Sequence, residues 1–367
     1  MQVQLPTETV RHDVPIPTSG SERPADAQCA TMSSGATSTV VIGGVVHRKS
    51  SGLDTESYEL TLFSYDLDST SPLATKILVA DRQPMRLTGI AGTAGGVAVS
   101  YSMHNNVYRS ETQYFAGPQL TPTWKAEGNV VAATDGMIAV EIPDSRGGTP
   151  RFSVHAASDG GQLDIGLSSR PDVIVRATSF LSSSDEGFAF TWHGVNSTNS
   201  HHVVDGIVWV DGNDVGKQRN ALDEATNFQP DPVSKLALVT YNDGGETAYK
   251  VVDRTTWETK LEIDAAKAKG INLSAVGIAD EKLYILNGND SPVIEITTGK
   301  SVHSGWTSFP VAKLGAVTVV ATESDHGLNA GCVDPAFGRG DPKLAVYNCP
   351  TFTLVPDVDG NFPGPSY

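Results

Sequence analysis

Three histidines, His193, His201 and His202, flank the segment GVNSTNS, and imidazole is the commonest side-chain ligand of zinc and copper. If the flanking stretches pair as strands, His193 is brought near His201 or His202 and two ring nitrogens meet, as a chelate would require. No carboxylate or cysteine stands at a ligand spacing beside them, so a solvated polar loop accounts for all three, and no metal is expected. The segment DVDGN sets Asp357, Asp359 and Asn361 at alternate positions, as calcium loops do, but lacks the downstream bidentate Glu. Nucleophile and phosphate motifs are absent: there is no G-x-S-x-G, H-E-x-x-H, Walker A or dinucleotide fingerprint. No catalytic residue and no cofactor is therefore assigned.

The elements that must carry these residues are short and apolar. The stretch VVAATDGMIAVEIPD reads as a strand, an Asp-Gly turn and a second strand with Ile138-Ala139-Val140 just after the turn. The apolar triplet recurs as Val40-Val41-Ile42, Val97-Ala98-Val99, Phe188-Ala189-Phe190, Leu236-Ala237-Leu238, Leu283-Tyr284-Ile285 and Val317-Thr318-Val319. Successive copies are 57, 41, 50, 48, 47 and 34 residues apart, and most are followed by a third strand, a polar turn and a fourth. A four-stranded unit repeating every 40–50 residues is the pattern of a β-propeller blade. The expected fold is all-β: a seven-bladed β-propeller of four-stranded antiparallel blades over residues 29–356. An extended, Pro-rich arm occupies residues 1–28 and a tail residues 357–367. The segments RHDVPIP and TFTLVP are both strand-like, so the last blade is expected to combine strands from the two chain ends. The small middle residue of most triplets is attributed to crowding where strands converge near the propeller axis. LDEATNF and DAAKAKG are the only hints of helix, and both are short.

VVDRTTWETKLEI and EITTGKSVHSGW resemble the D-x-x-T-G-x-x-x-W hairpin of quinoprotein-like and related propellers, with Thr298, Gly299 and Trp306 the best copy. The resemblance implies a tight turn between the third and fourth strands of a blade, within the broad quinoprotein-like and WD40-like superfamily, and no quinone. No Trp-Asp dipeptide occurs, so the chain departs from typical WD40 proteins. Ser183 to Phe190, SSDEGFAF, is similar to the S-x-D-x-G-x-x-F box of sialidase-like propellers. It occurs once and falls between the first two strands of a unit, where a polar β-turn explains it. No arginine triad can be assembled to go with it.

With 42 acidic against 26 basic residues the chain carries −16, which repels phosphate backbones and anionic lipid, so no nucleic acid is expected as a partner. The longest apolar run, VVIGGVV, is far short of the ~20 residues of a membrane helix, so no membrane insertion is expected. The N-terminal arm has no apolar core of a signal peptide. Met1 standing directly before it is what would follow if a leader or anchor had been removed. Cys332 and Cys349 bracket one long loop and are expected to form a disulfide, leaving Cys29 over. Asn196, Asn272 and Asn289 begin N-x-S/T sequons. The expectation is a monomeric, secreted or cell-envelope binding module that takes a protein or carbohydrate partner. A secreted hydrolase or lyase with a central pocket is the alternative. The ligand surface is expected on loops between second and third strands: His104, Asn105 and Asn106; His193, Asn196, His201 and His202; Asn242 and Asp243; and the insertion from Glu323 to Asp341.

Overall fold

Each of the seven triplets lies in the second strand of its own antiparallel sheet in the computed structural model. The structure describes residues 25–34, 37–48, 57–66, 71–103, 110–144, 148–165, 172–184, 186–198, 203–212, 218–231, 233–271, 275–286, 292–303, 309–314, 317–322 and 351–356. The expected Cys332–Cys349 pair, the strand-like RHDVPIP, and His104, Asn105, Asn106, His201 and His202 lie outside them. Cys29 is free and exposed.

The first sheet is β1 (Ala25–Ser34), β2 (Thr37–Arg48), β3 (Ser57–Asp66) and β4 (Ala74–Asp81). The second is β5 (Met85–Gly92), β6 (Gly96–Met103), β7 (Ser110–Ala116) and β8 (Thr121–Glu127). The third is β9 (Asn129–Ala133), β10 (Met137–Ile142), β11 (Arg151–Ala156) and β12 (Gln162–Asp164). The fourth is β13 (Val173–Ser184), β14 (Gly187–Asn196), β15 (Val203–Asp211) and β16 (Gln218–Asp223). The fifth is β17 (Ala225–Pro230), β18 (Leu236–Asp243), β19 (Glu246–Asp253) and β20 (Thr259–Ile263). The sixth is β21 (Ala275–Ala279), β22 (Lys282–Leu286), β23 (Val293–Glu295) and β24 (Lys300–His303). The seventh is β25 (Phe309–Leu314), β26 (Val317–Thr322) and β27 (Thr351–Pro356), so TFTLVP forms its third strand. Among the described residues, six sheets are four-stranded meanders and one has three strands; the chain is all-β, in the pattern of propeller blades. One short helix, α1 (Ala265–Ile271), covers AAKAKGI, while LDEATNF is strand and turn.

By its contacts the chain divides into two compact units, Pro6–Ala221 and Leu222–Tyr367. In the first unit, alternation along the second strands explains how sheet packs on sheet. Val97 and Val99 join a core with Val41, Leu60 and Leu62 of the first sheet, while Ala98 points the other way into a cluster with Ile138 and Val140. Ala139 in turn meets Phe188 and Phe190. The large flanking pair of one triplet thus packs over the small middle residue of the triplet before it. In the second unit Leu236 and Leu238 instead share one cluster with Leu283 and Ile285, and the middle residue Tyr284 is fully buried.

The small middle residues thus lie where neighbouring sheets crowd, Ala98 against Ile138 and Val140 and Ala139 against Phe188 and Phe190. The strands that run alongside one another between sheets are the first ones, β1 by β5 and β5 by β9. Glycine makes that approach possible. A Cβ on Gly92 would stand 1.8 Å from the Thr31 carbonyl oxygen of β1, and one on Gly89 would stand 2.7 Å from the Val130 carbonyl oxygen of β9. Polar ties reinforce the junctions: Ser100 Oγ accepts the Val130 N–H at 2.6 Å, and the Trp124 indole donates to the Ala157 carbonyl at 3.1 Å. In the second unit the buried Asp231 carboxylate accepts the N–H groups of Val233, Asp280 and Glu281 and the Ser234 hydroxyl, joining the fifth sheet to the sixth.

The repeat extends to single hydrogen bonds. In five sheets the residue after the third strand donates its N–H to the residue just before the second: Gly117 to Gly95, Ala157 to Gly136, Gly212 to Glu186, Arg254 to Lys235 and Ile296 to Glu281. Three of the third-to-fourth-strand turns also close alike, with Gly160, Trp257 and Gly299 at positive φ donating to the carbonyls of Ala156, Asp253 and Glu295. DRTTW and EITTG therefore occupy the hairpin position their resemblance implied. Trp257 holds at φ 63° the place that suits glycine, and its ring stacks on Phe228.

Replacing Gly92 by Ala forces backbone apart between β1 and β5 and should cost at least about 2 kcal/mol. Gly95→Ala, whose Cβ would meet nothing nearer than the Tyr114 hydroxyl at 3.8 Å, should stay within about 0.5 kcal/mol. Denaturant melts of the two variants measure this, and equal stabilities would contradict the packing described.

Candidate functional site

Register places the expected loops at one edge of each sheet. In the second sheet Met85 pairs Met103, Ser102 pairs Ser110, and Glu111 pairs Glu127. The start of the first strand, the connection from second to third, and the end of the fourth therefore share an edge. The fourth sheet repeats this with Val173 opposite Asn196 and Val195 opposite Val203. The fifth repeats it with Ala225 opposite Tyr241 and Asp243 opposite Glu246. Asn196 ends β14, with His193 three residues before it, and Asn242 and Asp243 end β18, each toward that edge of its own sheet.

The side chains there are largely committed to the turns that hold them. His193 Nδ1 lies 2.5 Å from Asp205 Oδ1, its cross-strand partner, and the two side chains are 54% and 33% exposed. Asn196 donates to Asp172 and accepts both the N–H and the hydroxyl of Thr198, an Asx-turn that fixes the first residues after the strand. Asn242 Oδ1 accepts the Gly245 N–H at 2.7 Å, closing a turn in which Gly244 and Gly245 both take positive φ. Each of these sheet edges is polar and locally hydrogen-bonded. No group of three His, Cys, Asp or Glu side chains that could hold a metal ion occurs among the described residues.

Two clusters resemble catalytic pairs, and their surroundings decide their roles. Ser153 Oγ lies 3.0 Å from His155 Nε2, while His155 Nδ1 faces the Gly160 carbonyl at 3.2 Å. A carbonyl only accepts, so Nδ1 carries the proton and Nε2 accepts from the serine hydroxyl. Both residues are buried and Trp124 stacks on the imidazole, so no substrate reaches this pair. Its work is structural. The second cluster stands at the loop edge of the second sheet, where Tyr101 and Lys125 both donate to Glu111. Burial pushes the Tyr101 hydroxyl up. Burial also pushes Glu111 up, but the hydrogen bonds from Lys125 and Tyr101 outweigh it and the carboxyl titrates below its ordinary value.

Sequence reasoning missed one feature entirely. Between the third and fourth sheets a cleft of about 460 Å3 is lined by Arg151 and Arg176 over Ile142, Phe152, Ile165 and Val175. Neither arginine belongs to a motif, and only the adjacency of β11 and β13 brings them together. No helix among the described residues is long and apolar enough to cross a membrane.

The lowered Glu111 carboxyl gives a pH prediction. Its stabilisation is complete above the ordinary glutamate pKa of about 4.3 and is lost as pH falls through the lower folded-state value. Glu111→Gln should therefore flatten the decline of Tm on acidification below about pH 5. Superimposable Tm–pH curves for the two proteins would contradict the assignment.

No family model matches this chain, and no curated protein matches it. Among solved structures it is similar to a chain described in a structural and mechanistic analysis of two prolyl endopeptidases. The identity is 13% and the TM-score 0.43, over 81% of this chain and 45% of that one. A second is the β-propeller domain of the Trilobed protease from Pyrococcus furiosus, which has an open velcro topology: identity 11%, TM-score 0.41, 83% of this chain and 91% of that one. A third is TolB from Acinetobacter baumannii, with 13% identity, a TM-score of 0.28 and 72% and 56% of the two chains covered. The chain thus spans less than half of the prolyl endopeptidase chain it resembles.

Proposed function

We propose that this chain is a seven-bladed β-propeller over about residues 29–356 whose last blade is completed by RHDVPIP from the N-terminal arm. It serves as a non-enzymatic, monomeric binding module, exported or displayed on a cell envelope, that holds a protein or carbohydrate partner on its second-to-third-strand loops. The observation that carries this reading is the polar edge. Asn196, Asn242 and Asp243 stand where a second strand ends and His193 three residues before such an end, and His193, Asn196 and Asn242 are held by local hydrogen bonds. Loops ordered in this way lose little freedom when a partner binds. Asn, Asp and Gly at such turns also offer the donors and acceptors that peptide backbones and sugars require. The acidic balance, 42 against 26, suits neutral or basic partners and not phosphate-rich ones.

The test is capture on the immobilised chain, using native extract and a glycan array, with glycoside and ester substrates assayed in parallel. Saturable retention of a protein or glycan is expected, reduced by the combined changes His193→Ala and Asp243→Ala, each of which should alter stability by no more than about 0.5 kcal/mol. Turnover well above a heat-killed control, with no retained partner, would overturn the binding reading.

A further inference from the structure

The cleft between the third and fourth sheets has a chemical character unlike the rest of this acidic chain. Its floor is Ile142, Phe152, Ile165 and Val175, of which Phe152 and Ile165 are buried in the inter-sheet core. The Phe152 ring rests 5.3 Å from that of Phe190, so the floor is held by the core beneath it. Two hydroxyls tie the walls together: Thr149 donates to the Arg176 carbonyl and Thr178 to the Pro150 carbonyl, each at 2.9 Å. Both are thereby committed as donors.

The guanidinium groups of Arg151 and Arg176 are not committed. Among the described residues neither has a hydrogen-bond or ion-pair partner, in a chain where acidic residues outnumber basic ones by 42 to 26. Both side chains are exposed at the mouth of the same cleft. Two unpaired, planar, always-charged forks above an apolar floor attract a planar anion through paired N–H···O bonds. A volume of about 460 Å3 lies within the usual range for small-molecule sites.

We infer that this cleft binds a small organic carboxylate with an apolar body, its carboxylate held by Arg151 and Arg176 and its hydrocarbon part over Phe152 and Ile165. The inference stands on the cleft alone and is independent of whether the loop edge takes a partner. An aryl-alkyl acid fits the arrangement. Its ring replaces water over the floor, and its charge meets the only cations that line the cleft among the described residues. A neutral amide of the same shape keeps the first contribution and loses the second.

Calorimetric titration of the full chain with 4-phenylbutyrate, its neutral amide and butyrate tests the site. The acid should saturate with a dissociation constant below about 1 mM. The amide and the ring-less butyrate should each bind roughly tenfold more weakly or worse, because each keeps one of the two contributions. Arg151→Ala with Arg176→Ala should cost the acid at least about tenfold while leaving the weak binding of the amide unchanged. The double lysine variant keeps the charges but not the forks, and should restore only part of the affinity. Both arginines are exposed, so the melting temperatures of the variants should match that of the parent. Failure of the acid to saturate, equal binding of acid and amide, or unchanged binding by the alanine variant would each overturn the inference.

Discussion

A four-stranded sheet that is apolar on both faces cannot bury either face alone, and the whole arrangement follows from that constraint. The residues that enforce it are in the second strands. Val97, Ala98 and Val99 are fully buried, as are Ile138, Ala139 and Val140, and Phe188, Ala189 and Phe190. Three successive residues of a strand point to alternate faces, so complete burial of all three requires a neighbour on each side. In the first unit that neighbour is the next triplet, large flanking residues over a small middle one. The fourth strands are different. β4 and β8 alternate between exposed and half-buried positions, as outer strands facing water do.

The same constraint separates polar groups that hold sheets together from those that do not. Groups caught between sheets are consumed in holding them: Asp231 takes four hydrogen bonds at one junction, and His155 is locked between Ser153, Gly160 and the Trp124 ring. Polar groups at the ends of second strands have no such task beyond closing their own turns. They are free to differ from one sheet to the next, as Asn196 and Asn242 do. Loops set on a rigid scaffold are where recognition is usually built. The arginine cleft follows another logic, since it exists only because two sheets meet.

How much of this was legible in the sequence depended on whether a signal is local. The triplets are local, and all seven fall in second strands as their spacing indicated. SSDEGFAF is likewise a turn between first and second strands, and DRTTW and EITTG close third-to-fourth-strand turns. The small middle residue signalled crowding between sheets, but which strands approach most closely is a property of neighbours and not of a repeat. Gly89 and Gly92 mark that approach, yet in the sequence they are two glycines among 36. Arg151 and Arg176 were invisible for the same reason: 25 residues apart and in no motif, they share a site only after β11 and β13 have been placed side by side.

Amide hydrogen exchange, resolved by strand, tests the central claim most directly. If burial of the second strands on both faces organises the structure, amides of β6, β10, β14, β18 and β22 should exchange slowest within their own sheets. Amides of the outer strands β4, β8 and β20 should exchange at least about tenfold faster. Outer-strand amides as protected as those of the triplets would contradict the account.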